Sequence, residues 1–122
     1  MNKVKITVLK TTLNKELAET YGIPGLGPCP MLRAGQVFYA DYAKPAGLCD
    51  EAWKAIYQYV FALAHGAGRD GGLFYYGDWI KTPGVAICSC NDGLRPVIFK
   101  LEAMDEPAAI DYTPVDRSAD QA

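Results

Sequence analysis

Residues 84–102 of this chain, GVAICSCNDGLRPVIFKLE, decide the fold. Two apolar runs, residues 85–90 and 97–101, contain the residue types that favour β-strands. The tripeptide Asn91-Asp92-Gly93 between them has the composition of a tight turn. The segment therefore predicts a hairpin of two antiparallel strands.

The period of two in a β-strand places the reactive side chains of this hairpin. Cys88 and Cys90 are two residues apart, so both thiols are predicted on one face of the first strand. Asp92 can cap its own turn, and Arg95 can pair with Asp92 or bind a carboxylate or phosphate of a ligand. The hairpin thus combines two thiols, a carboxylate and a guanidinium.

The other long elements are predicted from hydrophobic periodicity. Residues 3–10 (KVKITVLK) alternate between apolar and polar side chains, and residues 37–42 (VFYADY) form another β-prone run. In residues 50–65, apolar side chains recur at spacings of three and four, which predicts a helix. Asp50 is its expected N-cap and Gly66 its expected C-cap.

The segment between the first two strands combines a short helix with a proline-rich loop. Thr12 or Asn14 can cap a helix that ends at Gly22. Prolines then flank Cys29 on both sides and restrict the backbone around it. We expect a loop that presents this thiol in a fixed direction or packs it under the chain.

These elements predict a single α+β domain over residues 1–104. We expect a small, mainly antiparallel four-stranded sheet with one long helix packed on one face. Residues 105–122 are polar, acidic and interrupted by prolines, which predicts an extended or disordered tail. A homodimer is one way to cover the apolar surface that so small a domain leaves.

The charge and apolar patterns exclude several classes of partner. The chain has 12 basic and 14 acidic residues among 122, with no basic cluster, so we expect no nucleic acid partner. No segment approaches the roughly 20 apolar residues of a membrane helix, and the N-terminus does not resemble a secretory signal. We therefore expect a cytoplasmic protein that does not associate with membranes, in which cysteines are more often thiols or ligands than disulfides.

The four cysteines leave two alternatives to a catalytic or binding role. Cys29, Cys49, Cys88 and Cys90 could supply four thiolates to zinc or to an iron–sulfur cluster. Their spacing contains no Cys-x-x-Cys pair, so we predict no cofactor and keep the metal site as an alternative. The other alternative is a structural or interaction protein whose cysteines only pack.

Two further side chains are candidates because of their residue type. His65 is the only histidine, so a Cys–His pair would have to use it, although its position at a predicted helix end favours a solvated histidine. Trp79 belongs to an aromatic stretch that can cover the core or close over a cleft. The glycines before it do not match a phosphate-binding fingerprint.

Four stretches of the chain resemble a family of small microbial proteins without an established function. They are KVKITVLK, the pair Cys29-Pro30, the helix start GLCDEAW and above all CNDGLRPVIFKLE. The resemblance covers about residues 3–102 and implies that the Cys/Asp/Arg cluster belongs to a shared site, but it implies no reaction. Family members commonly have two adjacent cysteines where Ser89 here separates Cys88 from Cys90.

The first functional hypothesis is a small-molecule enzyme or ligand-binding protein with a pocket between the helix start and the hairpin. Acid–base chemistry of the isomerase or lyase type on an anionic substrate needs no cofactor and fits the absence of a nucleotide motif. The catalytic candidates are Cys88, Cys90, Asp92 and Asp50, and the substrate-binding candidates are Arg95, Cys49, Trp53, Trp79 and His65.

Overall fold

A computed structural model of the chain describes residues 1–68 and 79–110. Within these ranges the chain forms four strands and two helices. In chain order they are β1 (Asn2–Thr11), α1 (Lys15–Tyr21), β2 (Val37–Ala40), α2 (Asp50–Ala64), β3 (Val85–Ser89) and β4 (Val97–Pro107).

The four strands form one open antiparallel sheet in the order β2-β1-β4-β3. The predicted hairpin is present, since β3 pairs with β4 in a register that places Ser89 opposite Ile98. The longest pairing joins β1 to β4, from Thr11 opposite Val97 to Asn2 opposite Pro107. The predicted α+β class and the antiparallel four-stranded sheet are confirmed.

Alternation along the strands places the core on one face of the sheet. The predicted apolar face of β1 is buried, while Lys5 and Thr7 lie on the opposite face. Helix α2 contacts β1, β3 and β4 and turns a buried stripe toward them. The most completely buried side chains come from these elements: Val4, Ile6, Val8, Ile56, Val60, Leu63, Phe99 and Leu101.

Strands β2 and β3 both end earlier than predicted. Strand β2 ends at Ala40 rather than at residue 42, where the side chain of Asp41 accepts a hydrogen bond from the Tyr42 amide. Strand β3 ends at Ser89, one residue early, because the Val97 amide donates to the Cys90 sulfur (3.3 Å). These local side-chain bonds compete with the ladder and shorten both strands.

Strand β4 continues to Pro107, six residues beyond its predicted end at residue 101. Residues 105–107 are therefore strand and not tail, because the first residues of β1 offer them a partner. The Ala108 amide also donates to the carbonyl of Met1 (3.0 Å), so contacts with the start of the chain continue past residue 104. Residues 111–122 of the predicted tail lie outside the described residues.

Helix α1 is capped as expected, whereas the predicted N-cap of α2 is wrong. The Asn14 side chain accepts a hydrogen bond from the Leu17 amide and caps α1. Helix α2 has Cys49 at its N-cap, with no side-chain hydrogen bond, and Asp50 is its first helical residue rather than the cap. At the other end Gly66 has a left-handed φ of 85°, as expected of a terminating glycine.

Neither α1 nor α2, the helices of the described ranges, combines the length and apolarity needed to cross a bilayer.

Candidate functional site

A cavity of about 270 Å³ lies where the hairpin loop meets the first turn of α2. We call it the thiol cavity because Cys29, Cys49 and Cys90 all line it. These thiols belong to three segments far apart in sequence, and each is half-buried and free. The cavity is completed by Asp92 and Arg95 from the hairpin loop, and by Met31, Leu32, Glu51, Ala52 and Asn91.

Packing of loops against the start of α2 assembles this cavity. The Asn91 side chain donates a hydrogen bond to the carbonyl of Glu51 (3.4 Å), which links the hairpin loop to the first turn of the helix. Leu32 is buried in the core just after the proline-framed loop, and Cys29 packs against that core. Cys49 enters the cavity from the N-cap of α2.

Asp92 holds the hairpin loop in shape through both carboxylate oxygens. Oδ1 accepts hydrogen bonds from the amides of Leu94 (2.9 Å) and Arg95 (3.2 Å), and Oδ2 accepts one from Arg95 Nε (3.1 Å). These contacts, the Leu94 amide foremost, lower the pKa of Asp92 below its ordinary range. The predicted turn cap and the predicted pair with Arg95 are both confirmed. A carboxylate so engaged is poorly suited to act as an acid.

Arg95 lines the thiol cavity with part of its guanidinium still available. Its side chain is about one-third exposed, and its Nε is bound to Asp92. Within the residues that the structure describes, its two Nη groups have no hydrogen-bond partner. Because Asp92 fixes the guanidinium through Nε, the two Nη groups form a planar pair of donors that is suited to an anionic ligand.

The Cys90 sulfur is fixed by the last rung of the hairpin. Its amide donates to the carbonyl of Val97 (3.1 Å), while its sulfur accepts from the Val97 amide (3.3 Å). The Cys90 carbonyl is instead bound by the hydroxyl of Ser89 (2.9 Å). Hydrogen bonds to the backbone of Val97, as well as packing, therefore orient the Cys90 thiol.

A second cavity of about 680 Å³ lies beside the first, between α2 and β3, and we call it the β3 cavity. Cys88 lines it, and burial raises the pKa of this thiol to about 11. Cys88 and Cys90 are half-buried while Ile87 and Ser89 are exposed, which confirms the predicted shared face of the two cysteines. The other residues around this cavity include Ala55, Gln58, Tyr59, Trp79, Ile80 and Asn91.

Three predicted site residues line neither cavity. Asp50 points to solvent, where Lys44 binds it (2.6 Å) and thereby lowers its pKa. Trp53 packs on the core and on Tyr57. His65 lies at the far end of α2, about 22 Å along a helix of 15 residues.

The four cysteines do not assemble a metal site. In the ranges 1–68 and 79–110, no group of three or more His, Cys, Asp or Glu side chains could hold a metal ion. Cys88 lines the β3 cavity, while Cys29 and Cys49 line the thiol cavity. The four-thiolate zinc or iron–sulfur alternative therefore has no geometric support.

Several residues that line the β3 cavity were not among the predicted site residues, and Asn91, Ala55 and Tyr59 show why. Asn91 was treated only as part of a turn, although it lines both cavities. Ala55 and Tyr59 are four residues apart and hence lie on one flank of α2. Helical spacing placed them together, but only the position of β3 shows that this flank borders a cavity.

Comparisons of the chain with protein-family models, with curated proteins and with solved structures found no match. The family resemblance seen in the sequence stays a prediction.

Proposed function

We propose that this chain is a small-molecule enzyme that binds an anionic substrate in the thiol cavity and moves protons without a cofactor. One observation carries the proposal: three free thiols and an arginine positioned by Asp92 line a single cavity. Thiols and a guanidinium together provide proton transfer and anion binding.

The charges around the thiol cavity are compatible with an anion. Both carboxylates that line it have cationic partners, since Asp92 pairs with Arg95 (3.1 Å) and Glu51 with Lys54 (3.3 Å). The Nη groups of Arg95 offer two donors to a carboxylate. The amino end of α2 adds a favourable dipole at Cys49.

The proton-transfer groups of this proposal are thiols and not the predicted aspartates. Asp92 is committed to the hairpin loop, and Asp50 lies outside the cavity. A thiolate from Cys29, Cys49 or Cys90 would remove the proton from the carbon next to a carboxylate held by Arg95. Return of a proton from a second thiol gives an isomer, whereas departure of a group from the neighbouring carbon gives a lyase reaction.

Titration with simple carboxylates tests the binding half of the proposal. Acetate, lactate and alanine would be added to ¹⁵N-labelled protein while amide shifts are followed. We expect shifts at residues 90–95 and 49–52 that disappear in Arg95→Gln. Arg33→Gln is the matched control, since Arg33 is exposed and lines neither cavity. Shifts that persist in Arg95→Gln would contradict the proposal.

Hydrogen exchange into the substrate tests the catalytic half. Carboxylates that bind would be incubated with the protein in D₂O, and loss of the proton next to the carboxylate followed by NMR. We expect exchange with the wild type and its loss in Cys90→Ser or Cys49→Ser. Cys88→Ser should retain it, because the Cys88 thiol lies outside the thiol cavity. Binding without exchange for every bound carboxylate would leave a ligand-binding protein and reject the enzyme.

A further inference from the structure

The two cavities of the candidate site share a boundary. Cys90 and Asn91 line both of them, so the thiol cavity opens beside the β3 cavity at these two residues. The larger volume, about 680 Å³, belongs to the β3 cavity, which Arg95 does not line. A ligand held at Arg95 therefore has a second and larger space next to it.

The walls of the two cavities differ in charge. The thiol cavity contains Arg95 together with Asp92 and Glu51. In contrast, none of the described residues around the β3 cavity is an Asp, Glu, Lys, Arg or His. Its described walls combine apolar and aromatic side chains with uncharged polar ones, and burial keeps the Cys88 thiol neutral at neutral pH. The apolar and aromatic members include Ala55, Tyr59, Trp79 and Ile80, and the polar members are Gln58, Ser89 and Asn91.

We propose that the ligand is an amphipathic carboxylate that spans both cavities, with its charged group at Arg95 and an uncharged aryl or alkyl body in the β3 cavity. This inference rests on the function proposed above. The described walls carry no charged side chain, which disfavours a second charged group on the ligand, and the volume suits a body of small-molecule size. Cys90, at the boundary, would then lie beside the carbons that join the head to the body.

A series of carboxylates of increasing length tests this proposal on the full chain. Acetate supplies the head alone, and ω-phenylalkanoates from phenylacetate to 6-phenylhexanoate add the body. We expect acetate to shift only amides around the thiol cavity. The longer members should also shift residues 55–59 and 87–88. Their affinity should rise by up to about fourfold for each methylene that becomes buried.

Filling the β3 cavity should remove the contribution of the body and leave that of the head. Ala55→Phe places a large side chain in the cavity, and Gln58→Trp does so from an exposed position if the first variant folds poorly. We expect either variant to bind 6-phenylhexanoate no better than acetate while acetate binding is unchanged. Tyr57→Trp, on the other flank of α2, is the control and should behave as the wild type.

The outcomes separate this inference from the proposed function. Affinity that does not rise with length, while acetate still binds in an Arg95-dependent way, overturns the spanning ligand and keeps the proposed function. Equal binding of 6-phenylhexanamide, which lacks the charge, also overturns the spanning ligand, because the head would then contribute nothing. Absence of any shift at the thiol cavity with all carboxylates rejects both.

Discussion

The two ends of helix α2 differ in what surrounds their reactive side chains. At the amino end, Cys49 meets Cys29, Cys90 and Arg95 from two other segments around one cavity. At the carboxyl end, His65 bonds to the carbonyl of Phe61 (2.8 Å) and packs on its ring, within the same helix. Residue type alone made the only histidine a candidate, but convergence of segments favours the cysteines. A reactive side chain becomes part of a site where separate parts of the chain meet.

The middle of α2 packs the helix against the sheet. Truncation of a buried side chain there should therefore have the largest effect on the free energy of unfolding. Ile56 is fully buried there, and Ile56→Ala should lower the free energy of unfolding by about 3 kcal/mol, because a cavity replaces packed methylenes. Urea denaturation measures this. Tyr57→Ala, at the exposed neighbour, should cost about 1 kcal/mol or less. If Ile56→Ala costs no more than Tyr57→Ala, the sheet does not fix the ends of the helix.

The Cys88 thiol should be much less reactive than an ordinary thiol. Burial raises the pKa of Cys88 from its ordinary 9.0 to about 11. At pH 8 its thiolate fraction, and hence its rate with iodoacetamide, should be about a hundredfold below that of an ordinary thiol. Peptide mass spectrometry resolves the individual rates. In the urea-unfolded protein all four cysteines should react alike, and equal rates in the folded protein would contradict the burial of Cys88.

Asp92 should contribute more to stability than Asp50, the exposed first residue of α2. Asp92→Ala removes three hydrogen bonds of the hairpin loop and should lower the free energy of unfolding by about 2 kcal/mol. Asp50→Ala, which breaks an exposed pair with Lys44, is the comparison and should have a smaller effect. An equal loss in the two variants would show that the loop does not depend on Asp92.

The same carboxylate predicts a pH dependence with a definite sign. The pKa of Asp92 is lowered in the folded protein, so its contribution is present above the ordinary value of 3.8 and disappears as pH falls through the folded value. Denaturation curves from pH 6 to pH 2 should therefore fall more steeply for the wild type than for Asp92→Asn. Parallel curves would remove Asp92 as the cause.

His65 should give the smallest effect. His65→Ala removes one exposed hydrogen bond and a ring contact, for a loss of about 0.5 kcal/mol or less. Carboxylate titration of this variant should match the wild type, since the thiol cavity lies at the other end of the helix. A loss of binding in His65→Ala would overturn the contrast between the two ends.

Local pattern was sufficient to predict most of the fold. The alternation of Val4, Ile6 and Val8 indicated β1, and the turn at Asp92 indicated the hairpin, because both depend on neighbouring residues. The predicted end of β4 at residue 101 was wrong. Residues 105–107 are two carboxylates and a proline, which do not favour a strand by themselves, and they form one through pairing with β1. That pairing joins segments about one hundred residues apart, beyond the reach of local propensity.

The candidate site could be predicted only in part for a similar reason. The hairpin contributed Cys90, Asp92 and Arg95 as expected, because their spacing is local. Asp50 was expected beside Cys49, yet consecutive helical residues point about 100° apart, and Asp50 turns to Lys44 in solvent. The entry of Cys29 into the cavity depends on how the proline-framed loop packs, and no spacing in the sequence indicates that.

The Val97 amide donates a hydrogen bond to the Cys90 sulfur, so this amide reports on the candidate site. The acceptor strength of sulfur changes when it loses its proton, is alkylated or contacts a ligand. The amide that feels this change belongs to the strand opposite, at the first residue of β4. The chemical shift of the Val97 amide and its rate of hydrogen exchange therefore report the chemical state of the Cys90 thiol without chemical labelling of that thiol.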